Sequence, residues 1–63
     1  MSKIEAGRDY TIDEGGAVIR VRVVRIWGRG RNYWLSLVRA DGSTHAMRVK
    51  WFRLAIDRAK VLG

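Results

Sequence analysis

The stretch Ala17-Val18-Ile19-Arg20-Val21-Arg22-Val23-Val24-Arg25-Ile26-Trp27 decides the fold. In its first half β-branched residues alternate with arginine, so Ile19, Val21 and Val23 share one face while Arg20 and Arg22 share the other. That period of two marks a half-buried strand. At Val23-Val24 the alternation slips, and afterwards Val24 and Ile26 are apolar while Arg25 and Trp27 oppose them. A one-residue slip inverts every later side chain unless a bulge or bend absorbs it. The stretch therefore predicts one long strand with a bulge near Val23-Val24, bent to serve both halves of a small barrel. Its outer face then carries Arg20, Arg22, Arg25 and Trp27.

Downstream, Gly28 to Asn32 reads as a loop in which Arg29 and Arg31 accompany two glycines that let the backbone approach a ligand. Tyr33 to Arg39 and Ser43 to Phe52 then form a hairpin about Ala40-Asp41-Gly42. A strict two-residue Asp-Gly turn would pair Leu35 with Arg48 and mix polar with apolar on both faces. A three-residue loop with Gly42 left-handed instead sets Leu35 opposite Met47, Leu37 opposite His45 and Tyr33 opposite Val49. The other face then pairs Trp34 with Arg48, Ser36 with Ala46 and Val38 with Thr44, and Lys50 continues it. This register separates core from surface and is the one expected. It places His45 inside, beside Leu37, as a partly buried histidine.

Upstream, residues 1–7 read as a flexible lead-in and residues 8–63 as a single domain. Arg8 to Ile12 is a short strand and Asp13-Glu14-Gly15-Gly16 a turn. From Trp51 the period changes: Leu54, Ala55, Arg58, Val61 and Leu62 recur at helical spacing, and Arg53 can pair with Asp57 at i, i+4. A helix of two to three turns ending at Gly63 is expected to cap the open end of the barrel. Trp51, in phase with Met47 and Val49, is expected in the core.

Charge is the strongest global signal. Thirteen basic residues, ten of them arginine, face six acidic ones, for a net charge of +7. The first sixteen residues hold Lys3 and Arg8 against Glu5, Asp9, Asp13 and Glu14, a net of −2. The remainder holds eleven cations against Asp41 and Asp57, a net of +9. Such a surface favours polyanions through counterion release. The chain has no cysteine and one histidine, which argues against disulfides and against a zinc site. No apolar run approaches membrane-spanning length, so a cytoplasmic protein is expected, nucleoid-associated if it binds DNA. No serine, cysteine or carboxylate completes a nucleophilic site, and neither enzymatic activity, a cofactor nor a small-molecule substrate is expected.

The expected outer surface joins Arg20, Arg22, Arg25, Trp27, Trp34, Ser36, Val38, Arg48 and Lys50, with Arg29 and Arg31 on the adjoining loop. Cations neutralise phosphates, tryptophan stacks on bases or wedges between them, and small residues let a backbone come close. This layout of a first hairpin, a three-stranded sheet and a C-terminal helix resembles an SH3-like five-stranded small barrel, a mainly β fold. Within that group it is similar to the seven-kilodalton archaeal chromatin proteins and to the C-terminal domain of retroviral integrases. The resemblance to the chromatin proteins implies duplex DNA bound on a sheet face, where Trp34, Ser36, Val38, Ala46 and Arg48 occupy comparable positions. The expected function is thus nucleic-acid binding with little sequence specificity, DNA ahead of RNA, by a monomer or homodimer in a chromatin or regulatory role. Single-stranded DNA or RNA is the alternative, since exposed aromatics and an arginine–glycine loop also serve unstacked bases. A protein-interaction module of the SH3 or Tudor type is another; it would need an aromatic cage from Tyr33, Trp34 and Trp27 with an acidic rim.

Overall fold

The computed structural model describes residues 4–62. Among these residues four strands form one open antiparallel sheet in the order β1-β2-β3-β4, and a single helix follows. The strands are β1 (Asp9–Glu14), β2 (Ala17–Arg29), β3 (Asn32–Arg39) and β4 (Thr44–Arg48); the helix is α1 (Val49–Leu62). β1 runs two residues further than its alternation suggested, because the turn tightens to Gly15-Gly16 and Glu14 pairs with Ala17. The helix ends at Leu62 within the described residues; the expected stop at Gly63 lies outside them.

β2 is the spine of the sheet. It pairs with β1 through its first half and with β3 along most of its length. The pairing shifts where expected: Val23 faces Leu37, Arg25 faces Ser36, and Val24 is the extra residue. Ile26 therefore returns to the inner face opposite Leu35, and Trp27 to the outer face opposite Trp34. The β3–β4 register is also the expected one, from Val38 opposite Thr44 to Trp34 opposite Arg48. Gly42, at φ +88°, supplies the left-handed residue of the three-residue loop, and the Arg39 N–H donates to Ser43 O at 2.9 Å across its base. Asp41 completes the turn, its Oδ1 accepting from the Ser43 amide at 2.9 Å and the Ser43 hydroxyl at 2.7 Å. Those two bonds, the hydroxyl first, hold the Asp41 carboxyl below its usual range.

The core lies between the inner face of the sheet and α1. Val21, Val23, Leu35, Leu37 and Phe52 are fully buried, joined by Ile4, Ile12 and Ala59. Tyr10 meets the Phe52 ring edge-on with centroids 5.5 Å apart. In the segment read from sequence as a flexible lead-in, Ile4 is in the core and the Gly7 N–H donates to Val23 O at 2.6 Å, while residues 5–7 are exposed. Residues 1–3 of that lead-in lie outside the described residues.

The C-terminal end departs from expectation. β4 stops at Arg48 rather than Phe52, and α1 begins at once, so it is four turns long. Continuing the strand would bury Trp51 and leave Phe52 outside. Starting the helix at Val49 instead directs Phe52, Ala55, Ile56 and Ala59 at the sheet, the i, i+3, i+4, i+7 stripe of a half-buried helix. Trp51, expected in the core, is consequently 53% exposed, and Leu54, Val61 and Leu62, which recur at helical spacing, are exposed too. His45 does stand opposite Leu37 but is exposed, because β4 is an edge strand and α1 packs chiefly against β1 at the other edge.

Candidate nucleic-acid interface

The outer face is built by three registers acting together. The bulge at Val24 puts Arg25 and Trp27 outward, the β2–β3 pairing sets Trp27 beside Trp34, and the β3–β4 pairing sets Trp34 beside Arg48. The Arg25 guanidinium lies 5.4 Å from the centre of the Trp27 ring, and Arg48 lies 5.5 Å from that of Trp34. Arg25, Trp27, Trp34 and Arg48 thus form a continuous ribbon crossing β2, β3 and β4, in which cations flank two neighbouring indoles. Trp27 is 38% exposed and Trp34 36%, so each indole keeps about a third of its surface open to solvent. Ser36 and Val38 extend the face along β3 and are half-buried.

At the ribbon's open end Arg29 projects in phase with Trp27, and Arg31 stands in the turn before β3. Gly28 makes this turn possible. It sits opposite Tyr33 at φ +145°, and a Cβ there would collide with the Asn32 carbonyl oxygen and lie 2.7 Å from Tyr33 Cα.

The β1 side of the face differs. Asp9 Oδ1 accepts from Arg22 Nε at 2.8 Å, and its Oδ2 lies 3.6 Å from Arg20. The hydrogen bond from Arg22 holds the Asp9 carboxyl below its usual range, with the nearby charges adding to it. Two of the expected phosphate-binding arginines therefore already have an anion. The sequence carries the signal for this: once β1 runs to Glu14 with a two-residue turn, Asp9 falls opposite Arg22.

Lys50, expected on the sheet face, belongs instead to the first turn of α1, its ammonium 5.1 Å from the Trp51 ring centre. There it lines a groove of about 420 Å³ with Arg31, Asn32, Tyr33, Arg48, Val49 and Arg53. Sequence reasoning missed this groove because it took residues 49 and 50 as strand. Tyr33 projects to the opposite face from Trp27 and Trp34; with Val49 and Arg53 it also lines an adjoining groove of about 590 Å³, whose other walls include Ile4, Glu5 and Ile26. The three aromatics do not converge on one cage.

No family model matches the chain, and no curated protein or solved structure matches it either. No helix among the described residues is long and apolar enough to cross a membrane.

Proposed function

We propose that this protein is a small basic nucleic-acid-binding module that grips duplex DNA through the outer face of its sheet, with little sequence specificity. The observation that carries the reading is the ribbon Arg25–Trp27–Trp34–Arg48, which places two aromatic platforms between two cations at cross-strand spacing. The strands stand about 4.8 Å apart, so the ribbon spans roughly 10 Å from β2 to β4, enough to reach more than one phosphate along a strand. The role is binding rather than catalysis, in a chromatin-architectural or regulatory setting in the cytoplasm. On this reading the four-stranded sheet, with its bulge at Val24, is a relative of the SH3-like barrels.

A second reading, single-stranded DNA or RNA, is favoured by the side-by-side placement of two exposed indoles, Trp27 and Trp34. Neighbouring exposed rings can each receive an unstacked base.

Binding of a 20-mer duplex, its single strand and the matching RNA across a salt series separates the two. Five cations at this end, Arg25, Arg29, Arg31, Arg48 and Lys50, contact an aromatic ring or project from a turn rather than sharing Asp9. If all five engage phosphates, log K should fall with log salt at a slope of about −4.5 on duplex and about −3.5 on a single strand. Tight binding to the duplex with the steeper slope is the expected result. Absence of binding to every polymer at low salt refutes the proposal.

A further inference from the structure

β4 ends at Arg48, opposite Trp34, so Asn32 and Tyr33 are paired to β2 on one side and have no β4 residue on the other. The chain turns into α1 at that point, and the space left beside the overhanging start of β3 is the cationic groove. Its walls come from three separate places: Arg31, Asn32 and Tyr33 from the β2–β3 turn and the start of β3, Arg48 from the end of β4, and Lys50 and Arg53 from α1. Cations brought together from distant points of the sequence repel one another unless an anion sits among them. Lys50 adds to this, since it occupies the positive end of the helix dipole in a first turn that contains no acidic residue.

We infer that this groove holds a phosphate of the bound nucleic-acid backbone, so that the polymer crosses the strands from Arg25 to Arg48 and then descends into the groove. The inference rests on the proposed sheet-face reading and adds a direction to it. Arg48 is the link, because it belongs both to the aromatic ribbon and to the groove wall. The asymmetry of the face agrees with that path: on the β1 side Asp9 already occupies Arg20 and Arg22, whereas Arg31, Arg48 and Lys50 stand together along the groove, whose lining holds no carboxylate. Arg31 and Asn32 offer directional donors to phosphate oxygens, and Lys50 a mobile point charge.

The test uses the full chain and three charge-neutral variants, Arg31→Gln, Lys50→Gln and Lys60→Gln. Lys60, in the last turn of α1, lies outside both the ribbon and the groove, and its loss changes the net charge by the same amount. Arg31→Gln and Lys50→Gln should each make the salt slope on a 20-mer duplex shallower by about 0.9, alike for all base sequences, and Lys60→Gln should not. If the two groove variants behave as Lys60→Gln does while Trp34→Ala still weakens binding, the groove is off the path and the inference falls, with the sheet-face reading left standing. Titration with inorganic phosphate, followed by amide chemical shifts, tests the groove without any polymer. Saturable shifts at Asn32, Tyr33 and Lys50 that Lys50→Gln abolishes support it. Shifts no larger than those at Lys60 overturn it.

Discussion

Replacing Trp34 by alanine tests the interface most directly, because charge is untouched. Trp34 is the centre of the ribbon, with Trp27 beside it on β2 and Arg48 beside it on β4. If a base stacks there, the loss is about 1–3 kcal/mol, or roughly 5- to 150-fold in affinity. The salt slope should stay at its wild-type value, since no phosphate contact is removed. Arg48→Gln should do the converse, making the slope shallower by about 0.9 as well as weakening binding. Because Arg48 sits 5.5 Å over the Trp34 ring, the two losses should not add in the double variant. The fold should survive: two cross-strand neighbours at about 0.2–1 kcal/mol each and one exposed cation–π contact at about 0.5–1 kcal/mol are lost. That is a fraction of the roughly 3–9 kcal/mol expected for a domain of this length. Fluorescence anisotropy of labelled oligonucleotides at several salt concentrations measures both affinity and slope, and thermal unfolding checks the fold. A folded Trp34→Ala protein that binds every polymer within twofold of wild type would refute the stacking argument.

Gly28→Ala should destabilise the fold by more than about 2 kcal/mol, because the new Cβ meets backbone that cannot yield and φ +145° is strained for any residue with a side chain; a drop in the denaturant midpoint measures it. Phe52→Ala removes a fully buried ring from the helix–sheet contact and should cost about 3–5 kcal/mol, a loss that a lowered thermal midpoint by circular dichroism measures. Asp9→Asn should tighten binding and steepen its salt slope, since Arg20 and Arg22 lose their carboxylate. It should also alter acid unfolding. The Asp9 carboxyl titrates lower when folded than its ordinary 3.8, so its stabilising effect is complete above that value and is lost as pH falls through the lower folded one. Wild type should therefore lose stability below about pH 4 more steeply than Asp9→Asn.

The sheet was legible where alternation was strict, and even where it broke. The doubled valine at 23–24 read as a bulge, and the hairpin register followed from which pairing kept Leu35, Leu37 and Met47 on one face. Two periods competed after Met47. Val49 and Trp51 fit a strand, while Val49, Phe52, Ala55, Ile56 and Ala59 fit a helix. Alternation alone could not decide between them, because the outcome depends on whether Phe52 or Trp51 is enclosed. That in turn depends on where the helix lies over the sheet, and it lies chiefly on β1, about forty residues earlier in the chain. His45 was misjudged for the same reason. Its partner Leu37 is buried, but burial at an edge strand requires a covering element, and α1 leans away from β4.

The residues of the proposed interface collect where the regular pattern is interrupted. Without the extra residue at Val24, a strict alternation running on from Val23 would need its next inward side chain at Arg25, and Trp27 would follow it into the core. The bulge is what delivers both to the surface beside Trp34 and Arg48. The early end of β4 acts in the same sense, because a β4 that ran on to Phe52 would place Val49 opposite Tyr33 and fill the groove with backbone. Stopping at Arg48 satisfies Phe52 in the core and, as a consequence, leaves Arg31, Arg48 and Lys50 around an open space. One packing decision thus sets both the stability of the domain and the shape of this cationic groove. Substitutions that lengthen β4 should therefore impair core and groove together, whereas Lys50→Gln should leave the core intact.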